Sequence, residues 1–236
     1  MKLEQRMGVA GRVYGALIGL IVSGVCIALC HLFPAWWGTY WLSIFYFPLG
    51  FWIGYTYDRI NILANFDCLT GIANRRLLMK MLLQWFNKAA NSSFPLSIIF
   101  IDVDNFKQIN DIYGHERGDT ALRIVAEEIK ANLRSTDIVG RFGGDEFVII
   151  CPGASRTQSE AIAWRIKQCV ERRSIGNTKL TVSTGISVYP EDGKTIDGLL
   201  SYADKVMYRN KERRCLAIGS RLEGMDTALV LSKNHA

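Results

Sequence analysis

The 236-residue sequence contains no Cys-x-x-Cys pair, no internal repeat and no low-complexity stretch. Its six cysteines, Cys26, Cys30, Cys68, Cys151, Cys169 and Cys215, form no metal-like cluster and read as buried or incidental thiols of a reducing compartment. A strong charge of one sign is also missing. The net charge of +6 divides into +2 over residues 1–57 and +4 over the remainder. An excess this small suits anionic lipids or phosphate substrates and excludes a polymeric nucleic acid as partner. With 49% hydrophobic and 21% charged residues and a mean hydropathy of +0.11, the chain is neither disordered nor collagen-like.

The sharpest deficit is local. From Val13 to Tyr57, His31 is the only residue able to carry charge near neutral pH, a run of 45 positions. About 20 apolar residues cross a bilayer as a helix, so the run has room for two spans. They are expected at about 13–33 and 37–57, interrupted at Pro34. Trp36, Trp37, Tyr40, Trp41, Tyr55 and Tyr57 fall near the ends, where aromatic rings favour the headgroup zone, and Gly15, Gly19 and Ser23 would permit close helix approach. A cleavable signal peptide fits poorly, because the run is too long and a second apolar run follows at once. Lys2, Arg6 and Arg12 precede the first span, Arg59 follows the second, and the connection holds no Lys or Arg. The expectation is a multi-pass protein of the cytoplasmic membrane with both ends in the cytoplasm.

Residues 58–66 continue as a short helical stalk, leaving 67–218 for a globular domain and 219–236 as a weakly structured tail. Leu77, Leu78, Met81, Leu82 and Trp85 mark an amphipathic helix over 74–90. Leu96 to Val103 is a near-continuous apolar run, the mark of a buried central strand. A polar segment to Tyr113 precedes a helix at about 116–133. Residues 137–142 and 146–151 read as a hairpin about Gly143-Gly144, followed by a helix at 155–173, a strand at 180–189, a helix at 196–211 and a short strand at 214–218. This order predicts an α+β domain, a mixed sheet of about five strands packed with helices.

Two acidic clusters end strands: Ile101-Asp102-Val103-Asp104 and Gly143-Gly144-Asp145-Glu146. If the strands are neighbours, Asp102, Asp145 and Glu146 converge as hard oxygen ligands for Mg²⁺ beside a phosphate substrate. The glycines would permit positive φ and close approach of a phosphate or base. An EF-hand is excluded, since Phe106 and Lys107 stand where a ligand and a glycine are required.

The run Phe66-Asp67-Cys68-Leu69-Thr70-Gly71-Ile72-Ala73-Asn74-Arg75-Arg76, the run from Ile101 to Asp119, Gly143-Gly144-Asp145-Glu146-Phe147 and Ala203-Asp204-Lys205-Val206-Met207-Tyr208 together resemble the bacterial diguanylate cyclases, the GGDEF family, over about residues 66–216. The resemblance implies a nucleotide cyclase or polymerase palm-like fold. It also implies condensation of two GTP into cyclic di-GMP, with release of two pyrophosphates, across a homodimer. By the same resemblance Asp102, the Val103 carbonyl, Asp145 and Glu146 hold Mg²⁺ or Mn²⁺, Asp145 takes the 3′-hydroxyl proton, and Lys107 stabilises the phosphoryl transition state. Asn110 and Asp119 read guanine with His115 beside them, Gly143 and Gly144 admit the nucleotide, and Lys211 contacts phosphate. Arg134 and Asp137 resemble the family's R-x-x-D site for inhibition by cyclic di-GMP. One departure stands out: the usual Ala-Lys-x-x-Gly-Arg-Asn ending reads Asn210-Lys211-Glu212-Arg213-Arg214-Cys215, which puts the arginine contact in doubt. The alternative function is a catalytically silent GTP- or cyclic di-GMP-binding module. Its mark would be a broken signature, and the signature here is intact.

Overall fold

The computed structural model describes residues 38–92, 94–233 and most positions between 13 and 28. The chain divides into two units, 1–66 and 67–236. In the first, the described residues between 13 and 28 are helical, and helix α1 runs over Gly38–Asn65 with Pro48 inside it. Helix α1 covers both the second expected span and the expected stalk. Among the described residues, however, no helix is long and apolar enough to cross a membrane. The physical reason in α1 is composition: glycine, tyrosine, tryptophan, serine and threonine interrupt its Leu, Ile and Phe residues. Much of the first expected span lies outside the described residues.

The second unit is built on a five-stranded mixed sheet. Its elements are β1 (Ala73–Asn74), α2 (Arg75–Ser92), β2 (Leu96–Val103), α3 (Phe106–Tyr113), α4 (His115–Ala131), β3 (Ile138–Arg141) and β4 (Glu146–Pro152). They are followed by α5 (Arg156–Glu171), the small hairpin β5 (Ser174–Ile175) and β6 (Thr178–Lys179), β7 (Val182–Tyr189) and α6 (Ile196–Lys233). Strand order is β1-β3-β4-β2-β7, with β1 and β3 parallel and the other neighbours antiparallel.

Every residue of β2 is buried, as a strand covered on both faces requires. Its odd residues Ile99, Ile101 and Val103 join Phe147 and Ile149 of β4 beneath α3, α4 and α5, through Ile109, Leu122, Val125, Ile129, Ile162 and Ile166. The even residues Leu96, Ile98 and Phe100 join Val148 and Ile150 against α2 and α6, through Leu78, Leu82, Leu199, Ala203 and Met207. Helices therefore cover both faces of the sheet, and the period of two along the strand sorts side chains between two cores.

Three expectations are corrected. The fifth strand is the two-residue β1, not 214–218, which lies inside α6. That helix continues to Lys233, through most of the stretch expected to be weakly structured. Helix α3 takes up most of the expected polar segment, from Phe106 to its end at Tyr113. Helix α5 begins as its sequence suggests: Ser155 and Gln158 form a reciprocal capping box. Close packing fixes the position of α6, since a Cβ on Gly185 of β7 would stand 2.0 Å from the Ala203 carbonyl oxygen.

Candidate active site

Strands β2 and β4 are antiparallel neighbours in a register that sets Asp102 opposite Glu146. The two acidic clusters therefore meet at one end of the sheet. The turn between β3 and β4 closes with Phe142 N–H donating to the Glu146 carbonyl at 2.8 Å, and Val103 N–H donates to the Asp145 carbonyl at 3.1 Å. The turn does not use positive φ at either Gly143 or Gly144. At Gly143 a Cβ would stand 2.3 Å from Glu146 Oε2, so a larger residue there would displace that carboxylate. At Gly144 the space is open, which leaves the backbone approachable.

Burial pushes the Asp102 carboxyl above its ordinary range; Lys211 opposes the shift, while Asp145 and Asp104 add to it. Burial raises Glu146 as well, reinforced by Asp102, Asp145 and Asp204 and partly offset by Arg75. Lys211 Nζ lies 2.5 Å from Asp102 Oδ1. Burial alone would lower that ammonium, but its bond to Asp102 and the nearby Asp104 and Asp145 hold it above the ordinary lysine value. Among the described residues, no three His, Cys, Asp or Glu side chains form a ready metal shell. The donor set nevertheless fits a hard divalent cation, because Asp102 and Glu146 are oxygen ligands whose mutual repulsion a cation would relieve.

Asp104, inside the same acidic run, is fully engaged elsewhere. It accepts from Thr181 Oγ1 at 2.8 Å, Ser183 Oγ at 2.6 Å and Arg214 Nη1 at 3.1 Å. Arg214 also bonds Glu171 at 2.8 Å. The residue standing at the glycine of the expected C-terminal motif thus ties α6 to β7 and α5.

The expected guanine readers lie on the paired helices α3 and α4. Asn110 Oδ1 is buried without a hydrogen-bond partner. It packs against Gly118, where a Cβ would fall 1.8 Å from it, and half-buried Asp119 is the next residue. Lys107 and His115 are exposed. Arg134 and Asp137 stand at the other end of β3 from the glycine turn. Asp137 Oδ2 accepts from Arg134 N–H at 3.0 Å, and the Arg134 guanidinium has no hydrogen-bond or ion-pair partner among the described residues.

Sequence reasoning missed Arg141. Its Nε and Nη2 donate to the Gly144 carbonyl at 3.0 and 2.6 Å, and its Nη1 reaches both oxygens of Asp67 at 3.2 Å. Asp67 also accepts from Thr70 N–H at 2.9 Å and Thr70 Oγ1 at 2.6 Å. The N-terminal motif thereby anchors the glycine turn. An arginine two residues before Gly143 and an acid in that motif were the available signal, but their separation of 74 residues hid the pairing.

The chain belongs to the diguanylate cyclase GGDEF domain family, whose model matches residues 64–215. It is 39% identical over 155 residues to MucR of Pseudomonas aeruginosa, a bifunctional diguanylate cyclase and cyclic di-GMP phosphodiesterase; the match covers 64% of this chain and 22% of MucR. The chain spans only 21–45% of the length of several curated relatives that it matches. Among solved structures, the GGDEF domain of TpbB (YfiN) from Pseudomonas aeruginosa is similar at a TM-score of 0.59 and 38% identity, covering 63% of this chain and 89% of that one. The coiled coil and GGDEF domain of DgcB from Caulobacter crescentus, solved in complex with cyclic di-GMP, is similar at 0.61 and 25% identity, covering 66% and 84%.

Burial would raise the Asp67 carboxyl, but the Thr70 hydroxyl and amide together with Arg141 outweigh it and hold the group below its ordinary value. A carboxylate held low in the folded state adds stability above its unfolded pKa and loses it as pH falls through the folded pKa. Asp67→Asn is therefore less stable than wild type at pH 7, and the gap in denaturation midpoint narrows as pH is lowered through the acidic range. A gap independent of pH would contradict this role.

Proposed function

We propose that the chain is a diguanylate cyclase, condensing two GTP into cyclic di-GMP with each subunit of a homodimer holding one GTP. The observation that carries this reading is the β2–β4 register, which gathers Asp102, Glu146, Asp145 and Lys211 at one end of the sheet. In each half-reaction a 3′-oxygen forms a bond to the α-phosphorus of the other nucleotide, the bond to pyrophosphate breaks, and the hydroxyl proton passes to Asp145. Lys107 and Lys211 neutralise charge on the phosphates, as phosphoryl transfer requires. Asp119 accepts from guanine N1–H and N2–H₂, with Asn110 and His115 beside it, and would face a lone pair on adenine N1. Gly143 and Gly144 admit the nucleotide to the backbone. Asp102, the Val103 carbonyl, Asp145 and Glu146 would hold Mg²⁺ or Mn²⁺, which when bound supplies charge neutralisation at the phosphates.

One observation favours a second reading, a catalytically silent nucleotide-binding module: Lys211 already occupies Asp102. Assay of the full chain with GTP and Mg²⁺ separates the two. Cyclic di-GMP forms, specific activity rises with protein concentration, and Asp145→Ala lowers turnover about 100-fold or more while leaving the fold intact. GTP binding without product would favour the silent module, and undiminished turnover in Asp145→Ala would remove that residue from the mechanism.

Arg134 and Asp137 are proposed as a product site, supported by the unpaired guanidinium, which suits phosphate or guanine acceptors. Arg134→Ala leaves initial rates nearly intact and abolishes the slowing that accompanies product accumulation. Equal inhibition of both proteins by added cyclic di-GMP would exclude the site.

The run from Val13 to Tyr57 is proposed to attach the chain to the cytoplasmic membrane. Supporting this, α1 leaves Leu49, Phe51, Trp52 and Ile53 exposed. Reporter fusions at Met1 and Ala236 should both read cytoplasmic, and one near Pro34 external. A C-terminus outside the cytoplasm would separate the domain from GTP and contradict the assignment.

A further inference from the structure

Strand β7 is an edge strand whose outward backbone groups are partly taken and partly open. Val103 N–H donates to Asp145 O, and Asp104 N–H donates to Thr181 O at 2.9 Å, so odd residues of β2 face β4 and even ones face β7. By the alternation of an antiparallel ladder, odd residues of β7 pair with β2, and Val182, Thr184, Ile186 and Val188 direct their N–H and C=O groups outward. Half of these eight groups are engaged. The Val182 carbonyl accepts from Arg214 at 3.4 Å and the Thr184 carbonyl from Asn210 Nδ2 at 2.9 Å. Val188 N–H donates to Asp192 Oδ2 at 2.8 Å, and its carbonyl accepts from Asp192 N–H at 2.9 Å. The N–H and C=O of Ile186 have no hydrogen-bond partner among the described residues.

That opening lies in a groove of about 370 Å³ between α5 and α6. Trp164 of α5 and Tyr202 of α6 line it and are 66% and 40% exposed, an unusual placement for two large aromatic rings. Val206 and Ile186 add apolar surface. Two cations and the exposed carboxylate of Glu160 line the groove. Arg156 is spoken for by Glu191 and Asp192, whereas half-buried Lys167 has no hydrogen-bond or ion-pair partner among the described residues.

A peptide adding to a sheet edge needs several outward groups in succession. Here the Thr184 carbonyl and both groups of Val188 are taken, so that among the described residues Ile186 alone of the four has both its donor and its acceptor open, which favours a small ligand. The volume is that of a small-molecule site. An adjacent backbone donor and acceptor match the neighbouring acceptor and donor on the edge of a purine, exposed aromatic rings match its π face, and a lone ammonium matches one phosphate. We propose that this groove is a binding site for a purine nucleotide, separate from the acidic end of β2 and β4 and from Arg134 and Asp137. It sits one residue along α6 from Lys211, because Asn210 both lines the groove and bonds β7.

Adenosine 5′-monophosphate is the suitable probe, since the proposed guanine readers disfavour adenine. Equilibrium dialysis of the labelled nucleotide against the full chain in detergent should show saturable binding. Trp164→Ala and Lys167→Ala should each weaken it about tenfold, whereas Trp164→Phe should retain it. Asp119→Ala and Arg134→Ala should leave it unchanged, which separates this site from the two proposed above. Ribose 5-phosphate and adenosine should each bind more weakly than the nucleotide. Absence of saturable binding, equal binding by the Trp164→Ala and Lys167→Ala variants, or equal binding of ribose 5-phosphate would overturn the proposal.

Discussion

The antiparallel register of β2 against β4 is the constraint on which the acidic end of the domain depends. Strand β2 is buried along its whole length and flanked by β4 and β7. Its apolar run can therefore end in Asp102 only where another element compensates the charge, since an unpaired buried carboxylate is costly. The register delivers Glu146 beside it, where Asp102 and Asp145 raise the Glu146 carboxyl on top of its burial, while Asp145 and Asp104 raise Asp102. Lys211 supplies one compensating charge. That lysine is positioned by the close seating of α6 on Gly185, so a glycine in β7 and a carboxylate on the neighbouring strand are parts of one arrangement. A one-residue slip of β2 would exchange its two core faces and separate Asp102 from Glu146 together.

Two arginines hold the surroundings rigid. Arg141 links the glycine turn to Asp67, and Arg214 links Asp104 to Glu171. Each satisfies a carboxylate of the domain by direct hydrogen bonds. Asp104, although second in an Asp-x-Asp pair, thereby becomes a structural group, leaving Asp102 as the member of the pair that a cation can address. The departure of the C-terminal motif from its usual form takes on a physical meaning here: the arginine at 214 reaches back into the domain.

Much of this was legible from sequence where the signal was local. The eight-residue apolar run ending in acids became β2, the strand-like runs on either side of Gly143-Gly144 became β3 and β4, and the three- and four-residue steps around Leu78 and Trp85 became α2. Elements without periodicity were not legible. Strand β1 has two residues, β5 and β6 have two each, and α3 buries only Ile109 amid polar neighbours. Residues 214–218 carry branched and apolar side chains that suit a strand, yet the helix continues through them, with Arg214 anchored inside the domain. The role of Arg141 depends on a contact across the sequence that no spacing rule encodes. At the glycine turn the expected positive φ is absent at both Gly143 and Gly144, and a side chain at 143 would meet the Glu146 carboxylate.

The central claim is that the carboxylates brought together by the β2–β4 register form a divalent-cation site for a guanine nucleotide. Its most direct test is Mn²⁺ binding to the full chain in the presence of a non-hydrolysable GTP analogue, followed by the loss of the free-ion electron paramagnetic resonance signal. Wild type should bind the ion saturably, and Asp102→Asn and Glu146→Gln should each weaken binding while preserving the fold. Mn²⁺ binding of equal affinity in wild type and both variants, or no binding at all, would contradict the account.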